Sequence, residues 1–424
     1  MTGTPLHRCT STEILEELFL HSVNVSQSQE HFRVTPPPTR CRRSPASPCV
    51  ISKICKRWRD IALNFAPLWT HLHVVDPQHV SIVQDLQVWM HRARTLPLCF
   101  SLREYQSYDT TASAAVATLF LESLHRCQSF EMFVWTDLKY FFLQNIERVP
   151  STSLESVNVC IRYNKQGKNA RFLTNLLLNT PSLHIIQWSC GFVGPIIPHS
   201  SVRNLPKFLD ALSHCQNLER LRIHQPSYNR WPSTFVTLPR VTHLSFLVGI
   251  ASSAILDQLV LPSLVDLELG LLYRLSWAAI LNLIQRSDAM LRRLRIISGN
   301  IPRFRRLDQV EFIRILKMPY FQELRILEVE EPMVAGHDVV NFLTFPTGSK
   351  TAAAGSDPTD GTSSYLEHLE RIRLVFQGTR GVKVSSALRK LIKSRLGILY
   401  DPKSAKEHIE ITTHICFSLS IPSI

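Results

Sequence analysis

The sequence predicts an α/β chain: a small helical module in front, followed by an irregular solenoid of alternating strands and helices. Three observations predict it. An apolar triplet, spaced three and then two residues apart, recurs nine times between Phe130 and Leu374. Amphipathic stretches of helical period precede most of these triplets. Between residues 10 and 62, by contrast, the apolar stripes follow helical spacing.

Length and composition set the frame. At 424 residues the chain is too long for one compact core, so two or three domains or a repeat array are expected. Hydrophobic residues at 45% and charged residues at 19% describe a folded chain rather than a disordered one. The longest apolar run, Ala114 to Leu121, is far short of a membrane span. Arg8, Glu13, Glu16 and Glu17 interrupt the first residues, so no signal peptide is read there. An intracellular protein of cytoplasm or nucleus is expected, with no membrane partner. The ten cysteines stand singly, without a CxxC, and read as free buried thiols. Neither Cys41, Cys49 and Cys55 nor His71, His73 and His79 has the paired short spacing of structural zinc, so no metal is expected.

Taken in order, Thr10 to Glu13 has the spacing of a capping box. Ile14, Leu15, Leu18 and Phe19 then share one helical face. From Ser26 to Pro48 the period dissolves into Pro, Ser and Arg, and a loop is expected. A second helical stripe runs through Val50, Ile51, Ile54, Cys55, Trp58, Ile61 and Ala62 and stops before Pro67. These segments define a helical module over residues 10–75, with the insert at 26–48.

The module looks like an F-box, in the form found at the N-terminus of proteins of mushroom-forming fungi. Ile54 to Ala62 (ICKRWRDIA) followed by Pro67-Leu68-Trp69 carries the resemblance most specifically. Two features depart from the family: Ser11-Thr12 replace its usual Leu-Pro, and the basic insert lengthens the gap between its first two helices. The resemblance implies docking onto the Skp adaptor, and through it a cullin scaffold. The matching positions are Ile14, Leu15, Leu18, Phe19, Ile51, Ile54, Cys55, Trp58 and Trp69. Some of these must also serve the module's own core.

The triplets follow at Phe130/Phe133/Trp135, Leu154/Val157/Val159, Leu183/Ile186/Trp188, Leu218/Leu221/Ile223 and Val241/Leu244/Phe246. Leu264/Leu267/Leu269, Leu291/Leu294/Ile296, Leu324/Leu327/Val329 and Leu369/Ile372/Leu374 complete them, and Trp69/Leu72/Val74 fits as well. Intervening helices are expected at Ala114–Arg126, Phe172–Leu178, Leu205–Leu212, Trp277–Ile284, Val310–Leu316 and Ser385–Leu396. Cys127 and Cys215, each three residues before a triplet, read as equivalent packing residues. The pattern resembles a divergent leucine-rich repeat over 76–400, with a flexible insertion at 346–364 and a tail or cap at 401–424. Parallel strands would line a concave face and helices a convex one.

Side chains alternate along a strand, so the outward positions can be read off. They are Arg220 and Arg222, His243 and Ser245, Asp266 and Glu268, Arg293 and Arg295, Ile326 and Glu328, then Arg371 and Arg373. Parallel register should set Asp266 and Glu268 against Arg293 and Arg295, and Glu328 between Arg295 and Arg373. Each exposed pair is worth about 0.2–1 kcal/mol. The same positions, Ser245 and Ile326 aside, are the candidate substrate-binding residues, with Trp231 as a candidate aromatic anchor nearby; Trp188, a second candidate anchor, sits at an inward repeat position and reads as core.

The net charge of +13 is concentrated at 31–59, at Arg286–Arg306 and at Arg380–Lys406. No zinc finger or RNP-type motif accompanies it, and nucleic acid is not the expected partner. No GxSxG, HExxH, kinase or dinucleotide fingerprint is present, so neither catalysis nor a cofactor is expected. The expected function is substrate recognition in a Skp–cullin–F-box ubiquitin ligase. The alternative is a leucine-rich scaffold without that docking.

Overall fold

The computed structural model describes residues 11–30, 48–77, 79–104, 110–134, 153–161, 176–190, 210–224, 235–248, 253–271, 277–298, 309–331, 342–343, 368–377 and 414–420. Thr10, Cys41, Trp231, the insertion at 346–364 and the stretch Ser385–Leu396 lie outside these, as do most residues of the basic clusters. The side chain of Trp188 is likewise outside the description. The chain divides into two compact units, Met1–Asn204 and Leu205–Ile424.

The first unit opens with α1 (Thr12–Glu30), α2 (Pro48–Ile51) and α3 (Lys56–Asn64). A 3-10 turn, Ala66–Trp69, leads into β1 (His71–Val75). The helix α1 continues past Ser26, where a loop was expected, and it is capped by Ser11 rather than Thr10. The Ser11 Oγ accepts the Ile14 N–H at 3.3 Å. The second helical stripe is broken in two. Ser52 Oγ donates to the Cys49 carbonyl at 2.9 Å, closing the end of α2. Cys55, with φ −155° and ψ 169°, then starts α3 afresh and accepts the Trp58 N–H on its Sγ at 3.4 Å.

Four further strands follow, β2 (Leu98–Arg103), β3 (Cys127–Val134), β4 (Ser156–Ile161) and β5 (Ile185–Cys190). With β1 they pair in sequence order, all parallel. Between them stand α4 (Ile82–Arg92) and α5 (Thr110–Glu122). Alternate residues Leu72, Val74, Phe100, Leu102, Phe130, Met132, Val157 and Val159 are buried, and Phe120 of α5 stacks on Phe100 at 4.3 Å. Burying each such side chain is worth about 1.5–3 kcal/mol relative to leaving it exposed.

One strand was not anticipated, and one expected frame is corrected. The strand β2 carries no triplet because Pro97 occupies the first apolar position, two residues before the His71↔Cys99 pairing. In β3 the expected frame is three residues late. Phe130 pairs with Val157 and Met132 with Val159, so the triplet is Cys127/Phe130/Met132. Cys127 therefore fills the first apolar site of its own repeat, whereas Cys215 precedes its repeat by three residues. Both thiols are buried, and burial pushes the Cys215 pKa up to about 11 and that of Cys127 further still.

In the second unit the sheet runs β6 (Arg220–His224), β8 (His243–Val248), β10 (Asp266–Leu271), β11 (Arg293–Ser298), β12 (Ile326–Glu331) and β13 (Arg371–Gln377), each parallel to the next. Two short strands, β7 (Val236–Thr237) and β9 (Leu259–Val260), pair separately. The helices are α6 (Ser253–Leu256), α7 (Trp277–Ser287) and α8 (Gln309–Leu316). A Schellman motif ends α7: Asp288, at φ 49°, donates its N–H to Gln285 and Ala289 donates to Ile284. The last strand, β14 (His414–Ser420), runs antiparallel to β13. That departs from an all-parallel sheet, and it covers the β13 edge that would otherwise offer unpaired backbone groups.

Candidate functional site

The helical module sorts the nine candidate docking residues into two groups. Leu15, Phe19, Ile51 and Trp69 are buried inside it, with Ala62 and Leu68. Phe19 packs on Trp58 with ring centroids 4.9 Å apart. The Trp69 indole N–H donates to the Ala62 carbonyl at 2.7 Å, and its ring meets Trp89 edge-on at 5.2 Å. Ile14, Leu18 and Ile54 instead point outward, 54%, 55% and 57% exposed, and Val50 joins them at 39%. Ile14 and Leu18 are neighbours on α1 at i,i+4 spacing. Cys55 and Trp58 are half-buried, Cys55 as the cap of α3. One helical stripe thus carries both a core edge and an exposed edge.

The outward residues of the second unit form a charged lattice. Asp266 pairs in register with Arg293, Glu268 with Arg295, Arg295 with Glu328 and Glu328 with Arg373. The Asp266 carboxylate lies 3.5 Å from Arg293 and 3.6 Å from the His243 Nε2. Glu268 stands 3.6 Å from both Arg222 and Arg295 and accepts the Ser245 hydroxyl at 3.2 Å. Glu328, 5% exposed, lies 3.3 Å from both Arg293 and Arg295. Arg220 and Arg371 are exposed at the two flanks and make no ion pair among the described residues.

Burial raises the Asp266 carboxyl above its ordinary pKa, outweighing the opposing pull of Arg293 and His243. A raised carboxyl favours the fold most when protonated. Its contribution is present below the unfolded pKa and is lost as pH rises through the folded one. Asp266→Asn should therefore abolish that part of the pH slope. The difference in melting temperature between variant and wild type should shift in the variant's favour from about pH 3 to pH 6. A difference flat with pH would overturn the assignment.

The first unit has its own polar cluster on the strand face, which the late reading frame of β3 concealed. Glu131 receives Arg103 at 3.0 Å, Ser101 at 2.7 Å and Asn158 at 2.8 Å. Counting offsets from Cys127 rather than Phe130 places Glu131 outward, so the signal was in the sequence. A second repetition links the units: Thr70 Oγ1 lies 3.1 Å from the His71 Nδ1, and Thr242 Oγ1 lies 2.7 Å from that of His243.

Among the described residues no group of three or more His, Cys, Asp or Glu is placed to hold a metal ion. No helix among them is long and apolar enough to cross a membrane. Compared with protein-family models and with the curated proteins, the chain matches none.

Proposed function

We propose that the chain is a substrate-recognition adaptor of a Skp–cullin–F-box ubiquitin ligase. The observation that carries the reading is the exposed apolar set Ile14, Leu18, Val50 and Ile54 on a module in which Leu15, Phe19, Ile51, Leu68 and Trp69 are already packed inside. Exposed residues of this kind, gathered on about sixty residues that also resemble an F-box, form a docking surface. The charged strand face, with Arg220 and Arg371 unpaired beside an internally neutralised lattice, supplies the surface for an acidic protein substrate. The chain contributes no catalytic group on this reading. It holds a target beside a conjugating enzyme and raises its effective concentration there.

Co-purification with the Skp adaptor of the same host tests the proposal. The wild type should bind stoichiometrically. Leu18→Asp with Ile54→Asp, both at exposed positions, should weaken binding at least thirtyfold while the melting temperature holds. No binding by a well-folded wild type would sink the ligase reading and leave the second one, a leucine-rich scaffold. Ser11-Thr12 in place of the family's Leu-Pro is the observation that favours that alternative.

A further inference from the structure

A cavity of about 510 Å³ in the first unit belongs neither to the docking surface nor to the strand face. It is lined by Leu63, Met90, His91, Arg92, Arg94 and Arg126. These residues come from the end of α3, the last turn of α4 with the residues after it, and the 3-10 turn Leu124–Arg126. Among the described residues no carboxylate pairs with any of the three arginines.

Each guanidinium is held in place by something other than an anion. Arg92 lies over the Trp69 ring, 4.5 Å from its centroid, while its N–H groups find no acceptor among the described residues. Arg126 spends its Nη2 on the carbonyls of Arg94 and Leu96, and its Nε is shielded from solvent without an acceptor. Arg94 makes a single contact, 3.5 Å to the Asn64 carbonyl. Arg94 also has φ 54°, in the left-handed position after α4 where glycine is the usual residue. An arginine there costs about 1–2 kcal/mol of backbone strain, so its side chain has a use that glycine would not serve.

Three guanidinium forks converging without a carboxylate match a dianion with several acceptor oxygens better than a single carboxylate. Leu63 and Met90 add an apolar wall, and the volume is that of a small-molecule site. We infer that this cavity binds a small phosphate monoester, with the phosphate held by Arg92, Arg94 and Arg126 and the organic part against Leu63 and Met90. The inference is independent of the ubiquitin-ligase reading.

Calorimetric titration of the full chain with phenyl phosphate tests it, beside inorganic phosphate and an Arg92→Gln/Arg94→Gly variant. Phenyl phosphate should bind saturably and at least tenfold more tightly than inorganic phosphate. The double variant should lose at least tenfold in affinity while circular dichroism shows it folded, since glycine relieves the strained φ. Absence of saturable binding to the folded wild type would overturn the site, as would an unchanged affinity in the variant. Equal affinity for inorganic phosphate would overturn the organic part.

Discussion

Trp69→Ala should destabilise the first unit by about 3–5 kcal/mol, the range for truncating a fully buried tryptophan. The side chain has no solvent exposure and joins three elements at once. Its indole N–H satisfies the Ala62 carbonyl, which belongs to the last turn of α3 and is one of the acceptors that a helix end leaves orphaned. Its edge meets Trp89 of α4, and its face carries Arg92. Truncation removes the packing, leaves a cavity and unpairs a shielded carbonyl. Trp69→Phe separates these effects. It keeps most of the apolar volume and forfeits the hydrogen bond, so a loss of about 1–3 kcal/mol is expected. Urea unfolding followed by circular dichroism reads both variants. A loss below about 1 kcal/mol for Trp69→Ala would mean that the module does not depend on the helix-to-strand junction.

The repeat was legible because its period is a physical one. A strand buried on one face needs apolar residues two apart, and parallel stacking puts equal offsets side by side. Knowing the frame at Leu264 and Leu291 was therefore enough to set Asp266 against Arg293 and Glu268 against Arg295. The same logic failed where the first apolar site was filled by another residue type. Pro97 hid β2, and Cys127 hid the true frame of β3, taking Glu131 with it. The break between α2 and α3 was invisible to periodicity because Cys55, an apolar member of the stripe, also serves as an N-cap. Within the module, one stripe contains both Leu15, which is buried, and Leu18, which is not. The choice between them depends on how the helices cross, a tertiary fact that no single stripe encodes. The antiparallel β14 carries the same spacing at Cys416, Leu419 and Ile421, but its direction is set by long-range pairing with β13, which no local spacing encodes.

Glu131→Ala should cost about 3 kcal/mol, more than the equivalent change at Glu328, although both carboxylates sit on strand faces among arginines. The difference lies in what is left behind. Removing Glu328 leaves Arg293 beside Asp266 and Arg295 beside Glu268, at 3.5 and 3.6 Å, and these guanidiniums are 37% and 27% exposed. Solvent and a second carboxylate both remain to compensate them, so about 1 kcal/mol is expected there. The Arg103 side chain is only 11% exposed and Glu131 13%, with both guanidinium-to-carboxylate contacts made in a fork. Losing the carboxylate strips a mostly desolvated cation of its bidentate partner and unpairs the Ser101 hydroxyl and the Asn158 amide as well. Removing both charges together should be far milder. Arg103→Met with Glu131→Leu fills similar volume without a buried charge and should fall within about 1 kcal/mol of wild type. Unfolding of the two singles and the double closes the thermodynamic cycle. If the double variant loses as much as Glu131→Ala, the cost comes from packing rather than from breaking the ion pair, and the electrostatic account of this face fails.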